Sequence, residues 1–377
     1  MNEMQQEIVA GLNRYRMDKI EPLMEHDDQE CKFRMELFNE MGELGFTGMT
    51  IPEEYGGAGL SYEDFCYALE EISKSSISYA VTISVSSMTQ AIINAFGNDD
   101  QKKKYLPDLT SGKGIGAFAL SESGSGSDAA ALKTTAKKVD GGYILNGTKL
   151  WITSGGIAKT YIVMARTGVE GAKGISAFIV QDGTEGFSYG KKESKMGWNI
   201  SPTRELVFEN CFVPDSDLLK EEGFGFKVAM SALDRGRITI GAIGVGCAQR
   251  ALDEAVKYSL ERKQFKQEIF KFQGLQFMMA DMATEVEASR LLVHSAAQSF
   301  DAGTPNQTVA SMAKMKATDT AMKVTTDAVQ ILGGVGYTKE YPVERFMRDA
   351  KVLQIVEGTN QIQKVVIARQ LKKKYEN

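Results

Sequence analysis

Glu357 is the single residue whose type and position most suggest chemistry. It follows an apolar run that includes Val352, Leu353 and Val356, and it precedes residues 358–359, where a new helical pattern begins. A carboxylate at such a junction can lose its contact with water when a ligand closes over it, and that loss raises its pKa toward that of a useful general base. Because an isolated glutamate is more often a surface residue, Glu357 is a hypothesis that needs support from other residues.

Two segments rich in glycine and serine could bind a polar ligand. Residues 118–128 read FALSESGSGSD, and residues 151–156 read WITSGG. Such a loop exposes backbone N–H groups and hydroxyls to an anion or a polar heterocycle, although the composition is also typical of a flexible surface loop. It lacks the Gly-Lys-Ser/Thr ending of a P-loop, which argues against nucleoside triphosphates. Trp151 could stack on a ring system, but taken alone it is better interpreted as part of a sheet core.

Three arginines and a further glycine turn are weaker candidates. Arg237, Arg262 and Arg345 lie in helical patterns. A guanidinium there can bind a phosphate through two hydrogen bonds, but most helical arginines are solvated. Residues 330–337 read QILGGVGY, and their glycine pair is equally well explained as the end of a helix. None of these features alone assigns a function.

Composition excludes several classes of protein. The 377 residues carry 44 basic and 49 acidic side chains, a near balance that argues against a nucleic-acid partner. The only histidines, His26 and His294, form no HExxH motif, so we expect no metal site. No apolar run approaches the ~18 residues of a membrane span, and the first residues lack the pattern of a signal peptide, which predicts a cytoplasmic protein. Four scattered cysteines are expected to be reduced and buried: Cys31, Cys66, Cys211 and Cys247.

The elements that must position these residues divide the chain into residues 1–115, 116–220 and 221–377. The first part is mostly helical, with a capping box predicted at residues 61–64. Only residues 77–85 alternate with the period of a strand, and that pattern alone predicts β-structure.

The second and third parts differ in pattern. Turn signals such as Asp140-Gly141 separate β-rich runs after residue 116, which predicts an antiparallel barrel or sandwich. The third part returns to helical periodicity, and four helices are predicted: about 226–262, 275–300, 309–331 and 359–374. The order helix, sheet, helix predicts an α+β protein with segregated elements.

Five segments in order resemble the acyl-CoA dehydrogenase family over nearly the whole chain. They are IPEEYGGAGLS (51–61), FALSESGSGSD (118–128), LNGTKLWITSGG (145–156), QILGGVGYTKEYPVERFMRDA (330–350) and QIVEGTNQIQ (354–363). The resemblance implies an N-terminal helical domain, a middle antiparallel β-barrel or sandwich domain and a C-terminal four-helix bundle domain. It therefore places residues 77–96 in a helical domain, against their alternation. It also implies bound FAD and a homotetramer built as a dimer of dimers, with each flavin held between two subunits.

The resemblance also implies roles for individual residues. Glu357 matches the catalytic base of the short- and medium-chain members, while Gly236 stands where other relatives carry the base. The residues that match FAD contacts are Phe118, Leu120, Ser121, Ser127, Trp151, Ile152, Thr153, Arg262, Phe265, Gln273, Gln330, Leu332, Gly333, Gly334, Thr359 and Gln361. The residues that match acyl-CoA contacts are Ser127, Leu233, Asp234, Arg237 and Gly358.

The implied reaction is the α,β-dehydrogenation of a short- to medium-chain acyl-CoA, straight or branched. Glu357 would take the α-proton and flavin N5 the β-hydride, and electrons would pass to an electron-transferring flavoprotein. Hydrogen bonds from the Glu357 N–H and a flavin ribityl hydroxyl would stabilise the enolate. Two alternatives are an acyl-CoA oxidase, disfavoured by the length, and a non-catalytic acyl-CoA- or flavin-binding assembly protein, disfavoured by the intact Glu357.

Three positions depart from the family pattern. Ser123 replaces a proline in the 118–128 loop, which predicts a looser loop; Lys266 replaces a glycine after R-x-x-F; and Val356 replaces a tyrosine beside the base. Residues 195–199 are similar to the isobutyryl-CoA type of the family, whereas the C-terminal motifs are similar to short- and medium-chain types. The sequence therefore leaves the acyl group open.

Overall fold

The N-terminal part of the protein is helical. The computed structural model describes residues 1–376. Its first helices are α1 Glu3–Tyr15, α2 Met24–Gln29, α3 Met35–Glu43, α4 Tyr62–Ser73, α5 Ile77–Phe96 and α6 Asp99–Thr110. The predicted capping box is confirmed, because the Asp64 N–H donates to Ser61 Oγ at 3.0 Å and the Ser61 N–H donates to Asp64 Oδ2 at 3.1 Å. That reciprocal pair satisfies two N–H groups that would otherwise lack partners at the start of α4.

Helix α5 corrects the strand that alternation alone predicted. Every residue from 77 to 93 is buried, so no polar face exists to show the helical period. Two hydroxyls inside the helix donate back to backbone carbonyls one turn earlier, Thr82 to the Ser78 carbonyl at 2.9 Å and Thr89 to the Val85 carbonyl at 3.1 Å. These two buried threonines are therefore satisfied locally, and the helical placement implied by the family resemblance is confirmed.

The middle part forms one eight-stranded sheet. Its strands are β1 Gly116–Ala119, β2 Thr135–Val139, β3 Gly142–Thr153, β4 Thr160–Arg166, β5 Ile175–Gln181, β6 Phe187–Lys192, β7 Thr203–Pro214 and β8 Leu218–Leu219. They lie in the order β6-β7-β3-β2-β4-β5-β8, with β1 paired to β4. Most pairings are antiparallel as predicted, but β4 runs parallel to β1 and to β2. Parallel partners need a long connection, and the β2–β3 hairpin lies between β1 and β4 in the chain.

The C-terminal part is built on three long helices. Its elements are α7 Gly225–Glu261, β9 Lys263–Gln264, β10 Gln267–Glu268, α8 Gln273–Asp301, α9 Gln307–Leu332, α10 Gly334–Tyr337, α11 Val343–Leu353 and α12 Asn360–Glu376. The four predicted helices are confirmed as α7, α8, α9 and α12. Helix α7 packs against α8 and α9 and also against α4, α5 and the sheet, so it joins the three parts of the chain.

The cysteine prediction is confirmed at three of four positions. Cys66, Cys211 and Cys247 are free and buried, but Cys31 is free and exposed. Cys31 follows the end of α2 in a left-handed conformation with φ of 50°. Within residues 1–376, no cluster of histidine, cysteine and carboxylate side chains could hold a metal ion. No helix in that range is long and apolar enough to cross a membrane.

Candidate active site

A tight turn between α11 and α12 carries Glu357. Both Glu357 and Gly358 have positive φ angles, 54° and 86°, and a glutamate rarely adopts that conformation without support. Gln363 Nε2 donates to the Glu357 carbonyl at 3.1 Å and to the Gly358 carbonyl at 2.8 Å. Lys314 Nζ donates to the Gly358 carbonyl at 3.0 Å. Strained backbone persists where surrounding contacts fix it, and such positions cluster at functional sites.

The Glu357 carboxylate points at α7 and lacks a partner. Its Oε2 atom is buried and accepts no hydrogen bond within residues 1–376. A Cβ atom added to Gly236 would lie 2.5 Å from Oε2 and 2.7 Å from Met88 Cε, so the carboxylate occupies the space that the glycine leaves. Burial raises the pKa of Glu357 to about 7, while the positive charges of Arg237 and Lys314 act in the opposite direction. A carboxylate with such a pKa can act as a general base near neutral pH.

One turn of α7 supplies a buried guanidinium beside this carboxylate. Arg237 is buried, and its Nη1 donates to Asp234 Oδ1 at 2.6 Å. Its Nε atom is buried without a partner in the described chain. Gln307 also approaches the Asp234 carboxylate, at 3.2 Å, and Leu233 is half-buried. An unpartnered N–H on a buried arginine is an unmet polar group that a polar ligand can satisfy.

The 118–128 loop is anchored by a buried ion pair that sequence reasoning missed. Lys149 is completely buried, and its Nζ donates to Glu122 Oε1 at 2.7 Å and to the Leu120 carbonyl at 3.1 Å. The Glu122 carboxylate also accepts the Lys133 N–H at 2.6 Å and the Thr134 N–H at 3.0 Å. The signal available in the sequence was one acidic residue in the glycine-rich motif, Glu122, and one basic residue in the following β-run, Lys149, which together could have predicted an ion pair.

The turn inside this loop is closed despite Ser123. Glu122 and Ser125 exchange backbone hydrogen bonds of 2.9 and 3.1 Å, and the Ser121 carbonyl accepts the Leu150 N–H at 2.9 Å. The looser loop expected from Ser123 stays a prediction, because hydrogen bonds within the turn do not measure the mobility of the loop. Ser127 is exposed, which leaves its hydroxyl available to a ligand.

Trp151 is not a core residue, so the interpretation favoured by its pattern alone is wrong. Its side chain is 55% exposed and its φ is 57°, whereas its neighbour Ile152 is buried. Thr153 is half-buried, and the hydroxyl of Ser154 is buried without a partner within residues 1–376. An exposed indole beside an unsatisfied hydroxyl is the arrangement expected where a planar polar ligand stacks.

The candidate residue Phe265 lies in a strained hairpin between β9 and β10. Phe265 and Lys266 form the two-residue turn between β9 and β10, with φ of 50° and 64°. Two positive φ angles are what a type I′ turn requires, which gives a physical reason for the glycine usual at position 266. Phe265 is 87% exposed and its ring meets that of Phe272 edge-on, with 6.0 Å between the centroids, so most of the ring is available to a partner or ligand.

The remaining candidates divide by exposure. Arg262, Gln273, Gln330, Gly333, Gly334 and Gln361 are exposed, while Phe118, Thr359 and Gly358 are half-buried. Leu120 and Leu332 are buried in apolar clusters, so mainly their backbone groups are available to a ligand.

Helix α5 connects the Glu357 pocket with the glycine–serine loop. The Gly116 N–H at the start of β1 donates to Ser86 Oγ at 3.1 Å. Half a turn further along α5, Met88 Cε lies beside Gly236, and both Met88 Cε and Glu357 Oε2 are within 2.7 Å of the position that a Cβ atom on Gly236 would occupy. The strand that leads into residues 118–128 and the pocket of the carboxylate thus rest on the same helix.

The middle part also fixes the helix that leads into the Glu357 turn. The Trp198 N–H donates to Asp349 Oδ1 at 2.6 Å, and Trp198 Nε1 donates to the Asp349 carbonyl at 3.0 Å. Burial raises the pKa of Asp349 to about 7. Helix α11 is thereby held against the sheet domain eight residues before Glu357.

Comparisons with known proteins agree with this architecture. Three family models match the chain in order: the acyl-CoA dehydrogenase N-terminal domain over residues 2–113, the middle domain over 117–211 and the C-terminal domain over 223–372. The chain is 49% identical over 355 residues to an acyl-CoA dehydrogenase of Bacillus subtilis, covering 94% of each protein. It is 45% identical over 361 residues to the mitochondrial isobutyryl-CoA dehydrogenase of Dictyostelium discoideum, covering 95% of this chain and 87% of that protein.

Solved structures are similar over almost their whole length. Butyryl-CoA dehydrogenase of Megasphaera elsdenii superposes with a TM-score of 0.97 at 44% identity, covering 98% of both chains. A chain in a structure of the electron transferring flavoprotein of Acidaminococcus fermentans has a TM-score of 0.97 at 48% identity, also covering 98% of both. The chain therefore belongs to the acyl-CoA dehydrogenase family of FAD-dependent oxidoreductases.

Proposed function

We propose that this enzyme removes the α-proton of a short- to medium-chain acyl-CoA with Glu357 as the base, forming the trans-2-enoyl-CoA. The observation that carries the proposal is the buried, unpartnered Oε2 of Glu357 on a turn held in a strained conformation. Its raised pKa supports the same role, since an α-proton of a thioester is weakly acidic and needs a base poised near neutral pH. The half-buried Gly358 and the unpartnered Arg237 Nε are the proposed substrate contacts next to it.

The groups that would hold FAD fit a planar ring with a polar tail. The exposed Trp151 indole and the unpartnered Ser154 hydroxyl suit the ring, and the anchored Glu122–Lys149 pair keeps the 118–128 loop in shape. When bound, FAD supplies the acceptor for the hydride equivalent of the β-carbon. The chain's own task is to orient the thioester, exclude water from Glu357 and donate the Glu357 N–H toward the thioester oxygen.

An anaerobic titration with acyl-CoA tests this function. The purified enzyme should carry about one FAD per chain, and its flavin absorbance should bleach when a suitable acyl-CoA is added. A panel of straight and branched acyl-CoAs, including butyryl-CoA and isobutyryl-CoA, identifies the substrate by the rate of bleaching. Folded protein that takes up FAD but is bleached by no member of the panel would favour a non-catalytic acyl-CoA- or flavin-binding protein.

We propose an electron-transferring flavoprotein as the electron acceptor. Support comes from the 48% identical chain found in a structure of such a flavoprotein. The reduced enzyme should be reoxidised much faster by purified electron-transferring flavoprotein than by dissolved oxygen. Faster reoxidation by oxygen would instead favour an acyl-CoA oxidase.

We also propose that the chain works as a homotetramer, a dimer of dimers, in which flavin is shared between subunits. The large apolar side chains that are exposed in the C-terminal part of the single chain include Phe265, Phe277, Leu291 and Tyr337. Burial of exposed apolar surface is the main favourable contribution to the association of subunits. The exposed groups at Arg262, Gln273 and residues 330–334 would then be available to a neighbouring subunit's flavin.

A further inference from the structure

A second buried lysine lies directly beneath the Glu357 turn. Lys149 and Lys314 are both completely buried, but only Lys149 is hydrogen-bonded to a carboxylate. Lys314 Nζ donates instead to the Gly358 carbonyl at 3.0 Å and to Asn360 Oδ1 at 2.8 Å. A buried ammonium without an ion-pair partner is costly, so a fold that keeps one at this position calls for an explanation.

The two acceptors of Lys314 are the residues on either side of Thr359 in the Glu357 turn. Gly358 follows the carboxylate directly, and Asn360 begins α12. Asn360 is bound to α9 a second time, because its Nδ2 donates to Asp319 Oδ1 at 2.7 Å and to Thr318 Oγ1 at 3.0 Å. A change at Lys314 would therefore remove one of the two side-chain hydrogen bonds to the Gly358 carbonyl, the other coming from Gln363 Nε2 at 2.8 Å, while other contacts keep α12 in place.

Few charged or titratable groups surround Glu357 and Lys314. Arg237 from α7, Lys314 from α9 and the Tyr62 hydroxyl from α4 face Glu357. Glu357, Asp319 and Arg237 face Lys314. Burial lowers the pKa of Lys314 to about 7, while Glu357 and Asp319 raise it. Arg237 is paired with Asp234 at 2.6 Å. Lys314 is therefore the cation near Glu357 that forms no hydrogen bond to a carboxylate within residues 1–376.

We infer that Lys314 is a positioning residue for the base: its ammonium holds the Glu357–Gly358 turn from beneath and supplies the buried positive charge that keeps the Glu357 carboxylate ionised before the α-proton is removed. This inference rests on the proposed role of Glu357. It differs from a purely structural role, because a hydrogen bond alone would fix the turn without changing the proton affinity of the carboxylate.

Lys314→Gln separates the charge from the hydrogen bond. A glutamine amide can still donate to the Gly358 carbonyl, but it carries no charge. The rate of flavin bleaching by the best acyl-CoA of the panel is measured by rapid mixing from about pH 5.5 to about pH 9. The midpoint of the pH–rate curve should move up by about one pH unit, since an opposite charge nearby typically shifts a carboxylate pKa by about 1–3 units.

Lys316→Gln is the matched control, because Lys316 lies on the same helix but pairs with Glu285. The midpoint of its pH–rate curve should stay at the wild-type value.

Thermal unfolding gives a readout that does not depend on turnover. The pKa of Glu357 is raised from 4.5 to about 7 in the folded protein, so wild type should lose stability relative to Glu357→Gln as pH rises between these values. We define the Tm gap as the Tm of a protein with Glu357→Gln minus the Tm of the same protein with Glu357 intact. When both proteins also carry Lys314→Gln, the Tm gap should keep growing to a higher pH than it does without that change. The gap should level off at the same pH in the Lys316→Gln background as in the wild-type background.

Each outcome decides the inference. A Lys314→Gln rate that falls equally at every pH, with an unchanged midpoint and an unchanged Tm gap, would reduce Lys314 to a structural role and overturn it. If Lys314→Gln does not fold, Lys314→Arg keeps the charge at every pH of the series and must not raise the midpoint; an upward shift in that variant also overturns the inference. Failure of the proposed function looks different, since wild-type flavin would not bleach or Glu357→Gln would bleach as fast as wild type.

Discussion

At the residue scale, Glu357→Gln removes the basic oxygen while keeping the size of the side chain. The proposed contacts to FAD and acyl-CoA do not use that carboxylate, so flavin content and acyl-CoA binding should be unchanged. Loss of a general base costs about 10²–10⁴-fold in rate, and flavin reduction measured by rapid mixing should fall by that factor. Glu340→Gln, an exposed glutamate, is the control, and near wild-type reduction by Glu357→Gln would refute the assignment of the base.

Gly236 determines whether the base can be moved to the position that other relatives use. A Cβ atom there would lie 2.5 Å from Glu357 Oε2, so Gly236→Glu cannot be combined with glutamine at 357, which fills the same space. In Glu357→Ala the space is open, and Gly236→Glu should then recover part of the lost rate. The comparison is the bleaching rate of the double variant against Glu357→Ala alone, and equal rates would mean that a carboxylate at 236 does not reach the substrate.

Sequence reasoning identified Glu357 and the two glycine–serine segments but not the buried lysines behind them. Lysine in a polar pattern usually points to solvent, and burial of Lys149 and Lys314 depends on acceptors that are 27 and 44 residues away in sequence. Trp151 was misjudged for a related reason. Taken alone, a tryptophan at the end of a β-run is interpreted as part of the sheet core. Trp151 instead has a positive φ and an exposed indole, and no pattern in a single sequence reports a backbone angle.

At the element scale, the long helices were predictable because each keeps one apolar face over many turns. Helix α5 was not predictable from pattern, because it is buried on all sides. The same limit applies to β4, whose parallel pairing to β1 and β2 depends on the path of the chain through the sheet. Periodicity therefore assigns elements that have a solvent face, while the topology of buried ones is decided by packing.

The β9–β10 hairpin offers a test at this scale. Lys266 has a φ of 64°, and a non-glycine residue in the left-handed region costs roughly 1–2 kcal/mol. Lys266→Gly should remove most of this cost, offset in part by the greater flexibility of glycine in the unfolded chain, and should raise stability by about 0.5–1 kcal/mol per chain. Thermal unfolding measures the change. Lys263→Gly, in the neighbouring strand, should lower stability instead, and a fall in both variants would mean that the turn is not strained.

At the scale of the whole molecule, the exposed aromatic at the tip of this hairpin bears on assembly. Phe265 is 87% exposed and is held in a strained turn, although its ring meets that of Phe272 edge-on, with 6.0 Å between the centroids. Aromatic side chains in the centre of an interface often contribute about 2 kcal/mol or more to binding, which corresponds to about 30-fold in the dissociation constant. The strain is therefore best explained if a neighbouring subunit or its flavin covers the ring.

Phe265→Asp should accordingly weaken both association and flavin retention without unfolding the chain, because the ring contributes little to the protomer's own core. Sedimentation velocity over a range of concentrations should show wild type as a tetramer and the variant dissociating at roughly 30-fold higher concentration, with a lower ratio of FAD to protein in the dissociated fraction. Val169→Asp serves as the control, since Val169 is 69% exposed on the sheet domain and lies outside the proposed interface. A variant that dissociates to a monomer yet keeps its full FAD content would show that the cofactor site is complete within one chain.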